Sequence, residues 1–333
     1  MKPGFSAGSF LYWLRYRMGE YLLRGFVWIF PWIPRWLMLG VTKAASRLAF
    51  AVLWRYRKRM AENVAAGFGA ELPTAQEQKQ LVQAAWENFT RGVYETIACV
   101  RSPKGVTQDT IAMEGEEHLQ RALARGRGVI ALSAHLGSFT LIGARLAAAG
   151  YPFSVVVKHP RDKGFARLLD HYRAVVGMKT IAAKPRREAA RKILKALRNN
   201  EVVLMIADEF RSGGVEVEFL GRMVRAPRGP VTLALRSGAA VVPMFMVRGG
   251  QDRLTLHIWP EIELAKSGDV PDDVAWNVAL FARQLEAMVR RHPDQWNWLG
   301  FQRNGRPRRA RTGKLRGAEP DRERAPAAEM KQR

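Results

Sequence analysis

Buried strands and amphipathic helices alternate along the middle of the chain. Short runs of apolar residues, typical of strands covered on both faces of a sheet, are separated by longer stretches with apolar residues at helical spacing. The predicted strands are 129–132, 153–157, 202–207, 215–219 (an edge hairpin), 240–247 and 254–259. The predicted helices are 57–69, 74–100, 114–124, 138–149, 163–176, 187–198, 230–237 and 274–291. This alternation predicts an α/β fold with a central, mostly parallel sheet flanked by helices.

The first 56 residues differ in composition from the rest of the chain. The run FVWIFPWIPRWLML at 26–39 is apolar and rich in Trp, but two prolines and an arginine interrupt it before the roughly 20 apolar residues of a simple spanning helix. The first 59 residues carry eleven Lys or Arg and a single acid, Glu20. Trp at headgroup depth and basic side chains on lipid phosphates are typical of interfacial segments. Residues 1–56 are therefore predicted to be a membrane-associated helical anchor, with a buried amphipathic helix pair as the alternative.

The charge of the chain indicates an anionic partner. The sequence has 54 Lys and Arg against 30 Asp and Glu, a net charge of +24, which attracts phospholipid headgroups, nucleic acid or an acidic protein. Residues 303–333 are rich in Pro, Arg and Ala and are predicted to be a disordered basic tail. Residues 57–302 remain as one α/β domain of enzymatic size. Nucleic-acid binding would not account for the Trp-rich N-terminus, so no nucleic-acid partner is expected.

One histidine stands where this fold places catalytic groups. His135 follows the predicted strand 129–132, at the carboxyl end where open α/β sheets bind their ligands. A histidine can remove the proton of an alcohol as the alcohol attacks a thioester. Gly137 and Ser138 leave space for a substrate, and N–H groups at the start of the next helix are expected to support an oxyanion or a phosphate. Acyl transfer is the leading hypothesis, and a purely structural histidine is the alternative.

Other polar residues are candidates for catalysis or for binding an anionic substrate. Asp208 and Glu209 follow a buried strand, so their side chains are expected in the same crevice. Arg228 and Gly229 open a helix whose free amides, together with Arg225, form a predicted phosphate cradle. Further basic residues follow neighbouring strands and would suit an anionic lipid or a phosphopantetheine carrier, with a solvated surface as the alternative: Lys158, Arg161, Lys184, Arg186 and Arg187.

The sequence predicts no metal and no cofactor. His118 and His159 have no partners at metal-ligand spacing, and HExxH, Walker and dinucleotide fingerprints are absent from the sequence. The single cysteine, Cys99, excludes an internal disulfide. Its apolar helical context, TIACV, predicts a buried thiol without a catalytic role.

Four sequence blocks, in this order, resemble a known family. They are EGEEHLQRALARGRGVIALSAHLGSF at 114–139, VVLMIADEF at 202–210, VEVEFLGR at 215–222 and APRGPVTLALRSGAAVVPMF at 226–245. With them, residues 59–298 resemble the lysophospholipid acyltransferase superfamily, in the branch of the late acyltransferases of lipid A biosynthesis. The resemblance implies a glycerolipid acyltransferase-like fold and an O-acyltransferase that moves a fatty acyl group from acyl-carrier protein or acyl-CoA to a hydroxyl of an anionic lipid. It implies a lipid A precursor as acceptor and a location on the cytoplasmic face of the inner membrane.

The resemblance also assigns roles to individual residues. The family motif is a histidine base with a carboxylate five positions later; His135 matches the base, whereas Thr140 stands at the position of the carboxylate. A threonine hydroxyl can accept a hydrogen bond from the ring but carries no charge. Asp208, which matches a family aspartate, or Glu209 is therefore predicted to orient the base, with a loop cap as the alternative for Asp208. Arg173 matches a family arginine and is predicted to bind a phosphate or a thioester carbonyl, with a surface ion pair as the alternative.

The C-terminal block departs from the lipid A branch. In that branch a Gln-Trp segment is followed by a histidine and arginines, whereas here QWNW at 295–298 is followed by Leu299, Gly300 and Phe301. A lysophospholipid or another glycolipid is therefore the alternative acceptor. Because Thr140 replaces the carboxylate, a catalytically impaired lipid-binding homologue is the rival hypothesis from another functional class.

Overall fold

A computed structural model describes residues 7–29, 32–105, 110–210 and 214–301. The predicted basic tail, 303–333, lies outside these residues. The helices of the described part are α1 (Ala7–Ile29), α2 (Arg35–Val52), α3 (Trp54–Phe68), α4 (Ala75–Arg101), α5 (Glu116–Leu123), α6 (Ile142–Ala148), α7 (Lys163–Val175), α8 (Arg186–Arg198), α9 (Gly229–Ser237) and α10 (Val270–Arg291). The strands are β1 (Ile111–Glu114), β2 (Val129–Ser133), β3 (Phe153–Val157), β4 (Lys179–Ala182), β5 (Val202–Ile206), β6 (Val215–Phe219), β7 (Arg222–Ala226), β8 (Ala240–Arg248) and β9 (Leu254–Ile258).

The central sheet confirms the predicted mostly parallel α/β architecture. Seven strands lie in the order β1-β9-β8-β2-β5-β3-β4, and all neighbouring pairs are parallel except the pair of β8 and β9. β6 and β7 form a separate antiparallel hairpin that packs against α10. The strand β2 lies at the centre of the sheet, so the loop that follows it is surrounded by neighbouring strand ends on both sides.

The core is divided by the sheet into two apolar layers. Every residue of β2 is buried, and alternate side chains belong to different layers: Ile130 and Leu132 to one, Val129 and Ala131 to the other. The first layer includes α3, α10 and an aromatic group near the C-terminus, and the second includes α5, α6 and the end of α4. A strand covered on both faces explains the unbroken apolar runs in the sequence.

Three strands were not predicted: the short strands β1 and β4, and β7, the second strand of the hairpin. β1 (IAME) and β4 (KTIA) are only four residues long and lie at the two edges of the sheet, where a short strand has little apolar periodicity to reveal it. The predicted helix 114–124 begins at Glu116, because Gly115 takes a left-handed conformation (φ 80°) that ends β1 and starts α5. α4 begins with a capping box, in which Thr74 and Glu77 each accept a hydrogen bond from the other's backbone N–H.

The N-terminal helices present many apolar side chains to the outside. Trp28 is 70% exposed and Trp32 is 78% exposed, and Tyr21, Leu22 and Leu48 are also exposed. None of the described helices is by itself long and apolar enough to cross a bilayer. α2 and α3 together reach that length and composition, but they are bent by 85° between Leu37–Val52 and Trp54–Phe68. The association of residues 1–56 with a membrane stays a prediction.

Candidate active site

The register of the sheet brings His135 beside Asp208. β2 and β5 are parallel neighbours with Ser133 opposite Ile206, and each of the two polar residues follows the end of its strand by two positions. Equal offsets along paired parallel strands place the two residues side by side at the carboxyl edge of the sheet. The predicted proximity of Asp208 and His135 is therefore present in the structure, and it is a consequence of backbone pairing.

The two residues form a histidine–carboxylate pair in which the carboxylate is buried and the histidine is partly exposed. His135 Nδ1 lies 2.8 Å from Asp208 Oδ1, while the backbone N–H of His135 donates to Oδ2 at 2.8 Å. The indole Nε1–H of Trp296 donates to the same Oδ2 at 2.9 Å. Because ionised Asp208 accepts the hydrogen of Nδ1, Nε2 is the basic nitrogen of the ring. This arrangement is that of a general base oriented by a carboxylate.

Asp208 stays ionised although it is buried. Burial by itself would raise the pKa of Asp208, but the charge of His135 and the hydrogen bonds from His135 and Trp296 outweigh it and hold the pKa below the ordinary value of 3.8. The carboxylate thus provides a fixed negative charge for an imidazolium that forms during proton transfer.

The turn after His135 is held by backbone hydrogen bonds. Gly137 N–H donates to Gln295 O at 2.8 Å and Ser138 N–H donates to Met246 O at 3.1 Å. Gly137 has a φ of 57°, and a Cβ there would lie 2.0 Å from Met246 O, so only glycine fits. The expected helix 138–149 begins instead with a 3₁₀ turn, and α6 starts seven residues after His135. The amides of Gly137 and Ser138 are bonded within the protein, so these two do not receive an oxyanion, and the predicted role of the helix-start amides stays a prediction.

A network of largely buried polar side chains holds the turn after His135 to its neighbours. The Ser138 hydroxyl donates to Glu95 of α4, and Arg248 at the end of β8 forms two hydrogen bonds with that carboxylate. The side chains of Arg248 and Glu95 are 8% and 13% exposed, and Ser138 is buried. A bidentate pair of this kind fixes direction as well as distance. α4, β8 and the His135 turn are thereby joined.

An apolar cavity of about 570 Å³ opens beside His135. Leu23 and Val27 of α1 form one wall, and Cys99 and Met178 contribute to its apolar lining. His135 is among its lining residues, and its ring packs edge-on against Phe139 with centroids 5.0 Å apart. A cavity of this size and lining suits a long hydrocarbon chain.

A smaller, more polar cavity of about 270 Å³ also borders the histidine. Tyr56 and Arg59 of α3 line it together with Asn297, and His135 and Glu209 line both cavities. The catalytic candidate therefore stands where an apolar space and a polar space meet.

The structure gives the surroundings of Thr140 and Arg173, two other residues predicted to belong to the site. The Thr140 hydroxyl lies 2.6 Å from the hydroxyl of Thr96 on α4, so the carboxylate opposite His135 comes from Asp208. Arg173 lines the apolar cavity and pairs with Asp170 at 2.8 Å. Asp208 makes both contacts that the sequence left as alternatives, since Oδ1 bonds to the ring of His135 and Oδ2 accepts the loop backbone N–H of His135, as a loop cap does.

The predicted phosphate cradle lines neither cavity. Arg228 and Gly229 do begin α9, but neither they nor Arg225 line the apolar or the polar cavity. Arg225 pairs instead with Glu216 across the β6–β7 hairpin at 3.2 Å. Their role in binding substrate stays a prediction. Among the described residues, no group of three His, Cys, Asp or Glu side chains is arranged to hold a metal ion.

The sequence pattern does not show that several residues belong to this site. Trp296 and Asn297 come from the C-terminal segment, far along the chain from His135, and Glu95 is one of many polar residues on α4. The Gln-Trp dipeptide is noticeable in the sequence, yet periodicity does not reveal that the indole reaches Asp208. These contacts depend on long-range packing.

Cys99 provides a probe of the apolar cavity. Burial raises the pKa of its thiol to about 11, from an ordinary value of 9.0. At pH 8 we expect alkylation by iodoacetamide to be about 100-fold slower than in the unfolded chain, because the thiolate is correspondingly rarer. A fatty acid in the cavity should slow it further. Mass spectrometry of the single cysteine measures both rates, and equal rates in folded and unfolded protein would contradict the burial.

The fold and the site together are those of an acyltransferase that acts on lipids. A family model described as bacterial lipid A biosynthesis acyltransferase matches residues 9–303. The chain therefore belongs to the bacterial lipid A biosynthesis acyltransferase family. It is an O-acyltransferase, as the resemblance implied.

The chain is similar to enzymes with different acceptors in their names. It is 26% identical to a phosphatidylinositol mannoside acyltransferase of Mycolicibacterium smegmatis over 277 residues. This aligned region covers 76% of this chain and 89% of the relative. A phosphatidylinositol mannoside acyltransferase of Mycobacterium tuberculosis is 28% identical over 265 residues, 77% of this chain and 81% of the relative. A lipid A biosynthesis palmitoleoyltransferase of Escherichia coli is 23% identical over 287 residues, 85% of this chain and 90% of the relative.

Proposed function

We propose that this enzyme transfers a fatty acyl group from a carrier thioester to a hydroxyl of an anionic glycolipid, with His135 as the general base. The observation that carries the proposal is the position of the His135–Asp208 pair at the junction of the apolar and the polar cavity. The apolar cavity accepts the acyl chain, and the polar cavity accepts the hydroxyl-bearing headgroup. The two reactants then meet at Nε2 of the histidine.

The reaction needs one proton to be moved twice. Nε2 of His135 takes the proton of the acceptor hydroxyl while the oxygen attacks the thioester carbonyl. The tetrahedral intermediate then collapses, the C–S bond breaks, and the imidazolium returns the proton to the departing thiolate. An ester and a free thiol are the products. Asp208 keeps the ring oriented throughout and stabilises its transient positive charge.

The donor we propose is acyl-carrier protein. An acidic carrier is attracted to a chain of net charge +24, and Arg173 and Lys158 line the apolar cavity into which the acyl chain must pass. Acyl-CoA shares the anionic phosphopantetheine arm and is the other donor to be tried. The same phosphate groups would contact the same basic residues.

The acceptor we propose is a phosphorylated glycolipid. The relatives act, by their names, on phosphatidylinositol mannoside and on lipid A, both of which combine phosphate with sugar hydroxyls. The lipid A branch carries basic residues after its Gln-Trp segment that are missing from this chain, where Leu299 and Gly300 line the polar cavity. A phosphatidylinositol-type acceptor is therefore the first to test, and a lipid A precursor the second. The rival hypothesis of an impaired lipid-binding homologue relied on Thr140, and Asp208 supplies the carboxylate that Thr140 lacks.

The location we propose is the cytoplasmic face of the inner membrane. The exposed apolar side chains of α1 and α2 would enter the headgroup boundary, and their basic neighbours would bind lipid phosphates. α1 also contributes Leu23 and Val27 to the apolar cavity, so the proposed membrane-contacting helix borders the acyl-chain site. Co-sedimentation with anionic vesicles at low salt, weaker with neutral vesicles, is the expected result; no sedimentation with either would contradict this location.

A transfer assay tests the function. Purified enzyme in anionic micelles is incubated with radiolabelled acyl-carrier protein and, separately, acyl-CoA, in the presence of phosphatidylinositol mannoside or a lipid A precursor. We expect label to appear in one of the lipids by thin-layer chromatography. Binding of the lipid without transfer from either donor would instead support the lipid-binding hypothesis.

A further inference from the structure

We infer that the polar cavity is a binding site for the phosphate and sugar of the acceptor lipid, with Arg59 as the phosphate-binding residue. The inference rests on the proposed function, since it names the part of the acceptor that the site beside His135 recognises. Arg59 was not among the residues predicted to bind substrate, and the chain elements that form this cavity are separated by more than two hundred positions in the sequence.

The position of Arg59 follows from the geometry of α3. Tyr56 and Arg59 are three residues apart on one helix and therefore share a face, and both line the polar cavity. Lys58, on the same turn, is exposed and is not among the lining residues. One side of α3 is thus directed at the catalytic pair while the other side is directed away from it.

The charges around the cavity suit a ligand that is both a phosphate and a polyol. Among the described residues, Arg59 is the one lysine or arginine that lines this cavity. Asp208, which also lines the cavity, is already hydrogen-bonded to His135 and Trp296, so its charge does not repel an incoming phosphate as strongly as a bare carboxylate would. Glu209 and Asn297 provide acceptor and donor groups for sugar hydroxyls. Guanidinium and phosphate form paired, charge-assisted hydrogen bonds.

The surroundings of the cavity allow a lipid to remain partly in the bilayer. The 85° bend between α2 and α3 falls at Leu53, and Leu53, Trp54 and Tyr56 are exposed at the start of α3. Arg55 stacks over the ring of Trp54, 5.5 Å from its centroid. This apolar and aromatic rim is one helical turn from Arg59. A diacyl lipid can therefore keep its tails against the rim while its headgroup enters the cavity.

The test compares Arg59→Ala with Lys58→Ala, a matched loss of one positive charge from the same helical turn. Each enzyme is assayed with phosphatidylinositol mannoside and with mannosyl diacylglycerol, which has the sugar but no phosphate. For Arg59→Ala we expect the KM for the phosphorylated acceptor to rise about 10- to 100-fold. The KM for the uncharged acceptor and the slow hydrolysis of the donor thioester by water should stay within about twofold of wild type. Lys58→Ala should behave as wild type, and Arg59→Lys should recover part of the loss.

Binding of the deacylated headgroup, glycerophosphoinositol mannoside, is measured by calorimetry and does not depend on turnover. Binding by wild type that is lost in Arg59→Ala supports the site even if no acyl transfer is observed, in which case the proposed function is what fails. An unchanged KM or affinity in Arg59→Ala overturns the site, whatever the outcome of the transfer assay. An equal loss in Lys58→Ala would also overturn it, because the effect would then come from the charge of α3 in general.

Discussion

His135→Ala is expected to lower acyl transfer by about 10²- to 10⁴-fold, which is the usual contribution of a general base. Without the imidazole, the acceptor hydroxyl keeps its proton during the attack and the thiol leaving group has no donor. The apolar and polar cavities stay intact, so the KM values for donor and acceptor should change far less than kcat. Steady-state transfer of a labelled acyl group at saturating donor and acceptor measures the effect.

His257→Ala is a matched control for this substitution. His257 also pairs with a carboxylate, Glu114 Oε2 at 3.0 Å, and its side chain is 29% exposed, the same fraction as His135. It lines neither the apolar nor the polar cavity. The control should retain wild-type transfer. If both variants lost activity equally, the loss would reflect damage to the sheet, and His135 would have no special place in the reaction.

Asp208→Asn should lower kcat by about 10²- to 10⁴-fold as well, because an amide neither holds the ring in the required tautomer nor carries a counter-charge. The acid limb of the pH–rate profile should move to lower pH, since the imidazolium loses the carboxylate that favours it. Thr140→Val separates the two residues that compete for the role of carboxylate partner. Its hydroxyl bonds to Thr96, so its loss should change kcat by less than tenfold. A larger loss of kcat in Thr140→Val than in Asp208→Asn would instead make Thr140 the residue that orients His135.

The same pair gives a stability prediction with a definite sign. The pKa of Asp208 is lowered in the folded state, so its ionised carboxylate stabilises the fold at pH values above the ordinary value of 3.8 and this contribution is lost as the pH falls below it. In Asp208→Asn the corresponding part of the acid destabilisation should disappear. Thermal unfolding of both proteins between pH 7 and pH 3 measures the difference, and parallel curves would contradict the ionised state of the buried carboxylate.

The amino-acid pattern was sufficient for the fold because the central strands are buried on both faces. β2, β5 and β8 give unbroken apolar runs, and the long helices carry clear amphipathic periodicity. β1 and β4 escaped prediction because four residues at a sheet edge carry too little pattern. The turn after His135 was mistaken for helix, since its conformation is imposed by Gln295 and Met246, distant residues that local propensity does not include.

The candidate site was predictable only as far as topology determines it. Parallel strands collect residues at one edge, and this reasoning, together with the family motif, led to Asp208 or Glu209 as the predicted partner of His135. It does not account for Arg225, which pairs with Glu216 across a hairpin and lines neither cavity, and the role of Arg225 in binding substrate stays a prediction. It also missed Trp296 and Arg59, whose contributions depend on how the first helices and the last segment pack over the sheet.

The equal offset of His135 and Asp208 on paired strands has a consequence for how this enzyme loses activity. The distance between base and carboxylate is set by the ladder between β2 and β5, in the most protected layer of the molecule. Detergent, or removal from a lipid surface, could loosen α1 or α2. The apolar and polar cavities would then lose their ligands, but His135 and Asp208 would stay together. Inactivation of that kind should be reversible on return to lipid, whereas heat inactivation should coincide with cooperative melting of the sheet.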